Sequence, residues 1–127
     1  IKVGQEFKVD LLVKSERPLR SLPLQIGFDP AALEVVGVEE GGFFKQDGGK
    51  TNFAHNVDQA NGRIFTGVNR SGNEGARGEN SLVTVVFRGK MPKSKSEIRV
   101  IAATPMSLGE GAVTVALPKP QLLTVLP

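Results

Sequence analysis

Leu22-Pro23-Leu24-Gln25-Ile26-Gly27-Phe28-Asp29-Pro30-Ala31-Ala32-Leu33-Glu34-Val35-Val36 is the stretch that decides the fold class. Leu22, Leu24, Ile26 and Phe28 alternate with Pro23, Gln25 and Gly27, the period of a strand with one buried face. Asp29-Pro30-Ala31-Ala32 breaks that strand. Proline fixes φ and suits the first position of a turn or short helix, and an aspartate just before it accepts backbone N–H bonds. Leu33, Val35 and a following apolar position restart a strand at once. Strand, one-turn corner and strand make a rigid unit that carries no chemistry of its own.

Working outward, residues 6–13 read as a strand with Phe7, Val9, Leu11 and Val13 on one face. Residues 15–20 read as a charged turn around Pro18, and the strand that leaves the corner runs through Val38 to Glu39-Glu40-Gly41-Gly42. Phe43 and Phe44 are placed as a cap on the end of the core, followed by a turn at residues 46–49. Residues 51–57 and 63–69 form a hairpin, because Asn61-Gly62 tolerates positive φ at both positions. Residues 71–79 read as a loop. Residues 80–90 read as a central strand from the apolar doublets Leu82-Val83 and Val85-Val86, and Met91-Pro92-Lys93-Ser94 as a turn. Residues 97–104 alternate Ile98, Val100 and Ala102 against Arg99, Ile101 and Ala103, and the last strands are expected at 112–117 and 122–126. Eight or so short strands without an amphipathic helix predict an all-β domain, a single β-sandwich of flattened jelly-roll type.

The 127 residues suffice for one domain with a real core, and 39% hydrophobic with 23% charged residues excludes a disordered chain. No apolar run approaches the roughly 18 residues of a membrane-spanning helix. The net charge of +3 is dispersed. Lys90, Lys93 and Lys95 read as a solvated turn, with no neighbouring aromatic to stack a base, so nucleic acid is not an expected partner. Cysteine is absent, which leaves the redox compartment open. The chain opens at Ile1 without a signal peptide and reads as a domain, residues 1–127, excised from a larger protein.

Catalytic chemistry finds little to work with. His55 is the only histidine; it shares strand parity with Phe53 and Val57 and reads as a partly buried residue bonded to a backbone group. There is no Gly-x-Ser-x-Gly elbow, and one histidine without cysteine does not make a usual zinc site. Glu34, Glu39, Glu40 and Asp47 read as surface charges rather than a glycosidase pair. Asp10, Asp29, Asp47 and Asp58 are scattered, with no Asp-x-Asp-x-Asp calcium loop. Residues 70–79 lack the P-loop pattern and read as a surface loop. No metal, no cofactor and no enzymatic activity are expected. Trp and Tyr are absent and the seven Phe lie mostly at core parity, which argues against a flat sugar-stacking strip.

Several stretches together resemble the cohesin family: Val3-Gly4-Gln5-Glu6-Phe7; residues 28–35 with their Asp-Pro-x-x-Leu-Glu-Val piece; residues 63–71; and Gly78-Glu79-Asn80-Ser81-Leu82 leading to Phe87. The resemblance implies a jelly roll of about nine strands that binds another protein, a dockerin in cellulosomes, through one sheet face. In that family calcium is brought by the dockerin. A strand precedes the Val-Gly-x-x-Phe stretch in the family, and here only Ile1 and Lys2 stand for it, which implies an open edge. The outward positions before Asp-Pro, polar dockerin contacts in cellulosomal members, are here Ser21, Pro23 and Gln25, with no carboxylate. The phrasing also resembles cohesin-like domains of secretin-type proteins in bacterial type II secretion and type IV pilus systems.

The resulting expectation is a non-catalytic protein-interaction module, meeting a dockerin-like or a secretion or pilus protein through Ser21, Pro23, Gln25, Asn69 and Arg70. It places the domain in the bacterial envelope or outside the cell, without membrane insertion of its own. The alternatives are a carbohydrate-binding sandwich, with a polysaccharide as partner, and a structural spacer in an envelope assembly.

Overall fold

The computed structural model describes residues 1–71, 75–103, 106–107, 111–112 and 121–126; side chains are described for all of these except 16, 17, 47, 94, 95, 106, 107, 111, 112 and 121–123. In chain order come β1 (Glu6–Ser21), β2 (Leu24–Phe28), β3 (Leu33–Glu40), a 3-10 helix (Phe43–Gly48), β4 (Thr51–Asp58), β5 (Arg63–Arg70), β6 (Ala76–Gly89), β7 (Lys93–Ala103), β8 (Met106–Ser107), β9 (Gly111–Ala112) and β10 (Gln121–Val125). Hydrogen bonds connect them in the order β10-β7-β2-β5-β1-β6-β3, with β4 on the other side of β5 and β8 between β1 and β9. The sheet curls on itself into a β-sandwich. One layer is β10-β7-β2-β5-β4 and the other is β8-β1-β6-β3.

The opening unit forms as its pattern dictates. Leu22, Leu24, Ile26 and Phe28 are all buried, together with Leu33 after the corner. At the corner the Asp29 carboxylate accepts the N–H of Ala31 at 3.0 Å, and its carbonyl accepts those of Ala32 and Leu33. Phe43 and Phe44 pack edge to face, 5.0 Å between centroids, and close one end of the core. The β4–β5 hairpin turns at Gly62, whose φ is 68°; a Cβ there would stand 2.2 Å from the Phe28 carbonyl oxygen, so space and backbone both demand glycine.

Five local readings are corrected by the tertiary structure. Residues 15–20 are not a turn: β1 continues through them, irregular between Ser15 and Leu19, and carries the chain from one layer to the other. Residues 76–79 are not loop but the start of β6, paired with Lys14, Ser15 and Leu19; Ala76 is buried, and the polarity of the exposed residues 77–80 hid the strand because both of their side-chain rows face solvent. Lys93 and Ser94 likewise belong to β7 rather than to a turn. β6 is central, as expected, but its Leu82-Val83 doublet has a different cause. The register against β1 slips between Leu11 and Leu12, so Leu82 is the extra residue of a bulge and both side chains are buried. The fifth correction is a bulge in β7, where Gln25 pairs with Ala102 and Ile26 with Val100; Ile101 is the extra residue, and beyond it the inward parity passes from Ala102 to Ala103. The strand expected at 112–117 falls, apart from Ala112, outside the described residues.

Asp29 also pairs with the Lys93 ammonium, and this bond holds its carboxyl below the usual carboxylate range, helped by the N–H groups of the corner. A depressed folded pKa contributes stability that is present above the unfolded value, near 4, and lost as pH falls through the folded one. The stability difference between the wild type and Asp29→Asn is therefore expected at neutral pH and should shrink steadily below about pH 4, as read by urea melts across that range.

Candidate functional site

The outer face of the β7-β2-β5-β4 layer is built by strand parity. The chain from Ser21 to Phe28 runs along β5 in one unbroken register, with Ser21 opposite Asn69, Leu24 opposite Thr66, Gln25 opposite Phe65 and Gly27 opposite Arg63. On β4, Asn52 lies opposite Asn69, Ala54 opposite Gly67, Asn56 opposite Phe65 and Asp58 opposite Arg63. Since Leu24, Ile26, Ile64, Thr66 and Val68 point inward and are buried, the alternate set points out. Three cross-strand rows result: Asn52–Asn69–Ser21; Asn56–Phe65–Gln25–Ala102; and Asp58–Arg63–Gly27–Arg99.

The structure thus brings Ser21, Gln25 and Asn69 onto one face, with exposed Pro23 between them in the same strand alternation. Arg70 does not join them. It is 5% exposed, on the inward side with Ile64, Thr66 and Val68, and its Nη1 donates to the carbonyls of Gln46 at 2.7 Å and Phe44 at 3.3 Å. Its charge marked it as a surface residue, but its parity sends it inward, where the carbonyls of the 3-10 helix receive it. Phe65 is the residue that polarity-based reading missed. It stands 42% exposed at the middle of the central row, flanked by Asn56 and Gln25. The signal was in the sequence: Ile64, Thr66 and Val68 fix the inward parity of β5, which leaves Phe65 out.

The centre of this face is neutral. Ala54, Gly67 and Ala102 keep it low around the Phe65 ring, and the side chains of Asn52, Asn56, Asn69 and Gln25 offer amides that both donate and accept. The charges that these four strands carry on this face lie at one end, around a shallow open depression lined by Gly27, Phe28, Asp29, Arg63, Lys93, Glu97 and Arg99. They are largely mutually engaged there: Lys93 with Asp29, Arg99 with Glu97 at 3.7 Å, and Arg63 with the carbonyls of Asn61 and Gly62. The depression is a set of internal contacts rather than a cradle for an anion.

The other sequence candidates fall elsewhere. His55 shares the inward side of β4 with Phe53, but β4 is at the border of its layer, so the imidazole is exposed and stacked on the Phe53 ring at 5.3 Å instead of being buried on a backbone group. Glu34 pairs with Arg88 at 3.1 Å, in a row that Glu6 completes at 2.8 Å, and Glu40 accepts the Thr51 hydroxyl at 2.6 Å. Lys90 donates to the Pro30 carbonyl. The side chains of Asp47 and Lys95 and residues 72–74 of the glycine-rich segment lie outside the described residues. Among the described residues no three His, Asp or Glu side chains gather as metal ligands, and no helix is long and apolar enough to cross a membrane. Of the seven Phe, Phe28, Phe43, Phe44 and Phe87 are buried and Phe7 and Phe53 half-buried, so Phe65 stands alone and forms no row for sugar stacking.

A family model described as "Cohesin domain" matches residues 2–118. Among solved structures, a non-cellulosomal cohesin from the hyperthermophilic archaeon Archaeoglobus fulgidus superposes with a TM-score of 0.80 at 18% identity, over 99% of this chain and 84% of the other. A type II cohesin domain from the cellulosome of Acetivibrio cellulolyticus gives 0.82 at 12% identity, over 97% and 88%. A structure described as a type I cohesin–dockerin complex from Clostridium thermocellum gives 0.78 at 18% identity, over 98% and 86%. No curated protein is significantly similar.

Proposed function

The chain belongs to the cohesin domain family, and from that premise we propose that its β7-β2-β5-β4 face binds a protein partner of dockerin type, with Phe65 as the anchor. The module is non-catalytic. The observation that carries the reading is the exposed Phe65 ring, set on a flat, neutral, preformed sheet among side-chain amides. Interface energy concentrates in a few central aromatic residues surrounded by polar groups that exclude water, and a preformed sheet keeps the entropy cost of ordering low. Ser21, Pro23, Gln25 and Asn69 would frame the anchor. Because no carboxylate stands at those positions, the fitting partner presents an apolar pocket rimmed by neutral hydrogen-bonding groups rather than a cationic one.

Phe65→Ala is expected to weaken partner binding by about 2 kcal/mol, roughly thirtyfold, as measured by titration calorimetry against a dockerin that the wild type binds. Thermal stability should be unchanged, since the side chain already faces water. Full affinity in the variant, or binding to a glycan array by a chain that captures no protein, would overturn the reading. The finer setting proposed is an envelope assembly of secretin type at the cell surface; the resemblance of sequence supports it, and the test is co-purification with secretion or pilus components.

A further inference from the structure

We propose that β4 is a strand-pairing edge through which two copies of this chain join, antiparallel and two-fold related, into one continuous sheet. This does not depend on the nature of the partner that the sheet face binds. Among the described residues, the two long border strands of the sandwich differ sharply. The border of β3 is blunted three ways. A bulge places Val36 out of register, Glu34, Glu39 and Glu40 charge it, and the Gln59 side chain bonds its free backbone by accepting Val35 N–H at 3.1 Å and donating to the Leu33 carbonyl at 2.9 Å. β4 has none of these devices before its last residue, Asp58. It pairs with β5 through eight consecutive residues without a register shift, and residues 51–57 contain no Asp, Glu, Lys, Arg, Pro or Gly.

The direction of its free groups is fixed by one bond. The Lys50 carbonyl accepts the Ser71 N–H at 3.0 Å, so the backbone groups of the even residues face β5. Those of Thr51, Phe53, His55 and Val57 face the open border. Ala54, His55 and Asn56 are all exposed, as a strand with no neighbour on that side among the described residues requires.

The sequence of β4 is complementary to itself. Antiparallel pairing about Ala54 sets Lys50 opposite Asp58 of the second copy, Thr51 opposite Val57, Asn52 opposite Asn56 and Phe53 opposite His55. Opposite charges, a β-branched pair, an amide pair and two stacked rings thus meet on matching faces. Parity is kept, so each of the four outward-facing residues finds two hydrogen bonds, and the arrangement closes on itself as a dimer rather than extending. The two Phe65 anchors would then lie on one surface, three strand spacings across the sheet and four residues along it, or about 20 Å apart.

Sedimentation of the wild type up to about 1 mM, the affinity range expected of a small interface, should show a mass rising from monomer towards dimer. Lys50→Asp, which sets like charges across both symmetric pairs, should weaken association at least about tenfold. His55→Pro should abolish it, because that N–H is used only across the border and proline is tolerated on such a strand. The chain has no cysteine, so Ala54→Cys gives a register-specific probe. Its thiols meet at the two-fold axis and should oxidise readily to a covalent dimer, whereas those of Asn52→Cys stand apart and should not. A monomer at every concentration, or Asn52→Cys cross-linking as readily as Ala54→Cys, overturns the proposal; a monomer whose β4 instead takes up an extended peptide would give the border to another partner.

Discussion

Replacing Phe87 with alanine is expected to cost about 4 kcal/mol of folding stability, enough to remove a large part of the margin of a domain this size. Phe87 is fully buried near the C-terminal end of β6, the strand between β1 and β3. Its ring stacks on Phe7 and meets Phe28 edge on, each at 5.6 Å between centroids, and so joins the inner surfaces of both layers. Truncation would leave a cavity lined by the rings of Phe7 and Phe28, held on two different strands that cannot both move in to fill it. Urea denaturation should show the midpoint falling with little change in slope. Phe65→Ala is the matched control: the same atoms removed from the outer surface should change stability by no more than about 0.5 kcal/mol. Equal losses in the two variants would mean that the layers are not packed as described.

Arg70→Met should cost about 3 kcal/mol and leave partner affinity unchanged. The guanidinium holds the 3-10 helix to β5 through the carbonyls of Phe44 and Gln46, and Gly49 lies flat against it: a Cβ at that position would stand 2.6 Å from Cζ. Methionine keeps much of the volume but supplies no donor, so the helix carbonyls lose a charged partner in a dry site. Hydrogen exchange should then quicken first at Phe43–Gly48, before the rest of the domain opens. A variant that keeps its stability but loses partner binding would return Arg70 to the binding face.

The make-up of the outer face was partly legible in the sequence. Ser21, Pro23, Gln25 and Asn69 follow from alternation alone, because the residues between them are apolar and must point inward. Arg70 and Phe65 lie on the opposite sides of β5 from those their polarity suggests. Side-chain polarity points Arg70 outward and Phe65 inward, but parity prevails when a strand is fixed along its whole length. His55 shows the complementary limit. Its inward parity is correct, yet inward at a border strand is not buried, and β4's border position is a property of the sheet order.

The sequence by itself determined the strand–corner–strand unit of residues 22–36, the Asn61-Gly62 turn and the all-β character. In each case the deciding forces act between residues a few positions apart: alternation on a pleated strand, a cap on a corner, a positive φ that glycine tolerates. Only the tertiary structure decided the bulges at Val36, Leu82 and Ile101, the inward anchoring of Arg70 and the open border of β4. Those depend on partners far along the chain. Arg70 is held by carbonyls 24 and 26 residues away, and the border of β3 is closed by a glutamine 24 and 26 residues from the groups it bonds. A local pattern says which side of a strand is apolar; which strand lies beside it, and whether any does, is settled by how the whole sheet closes.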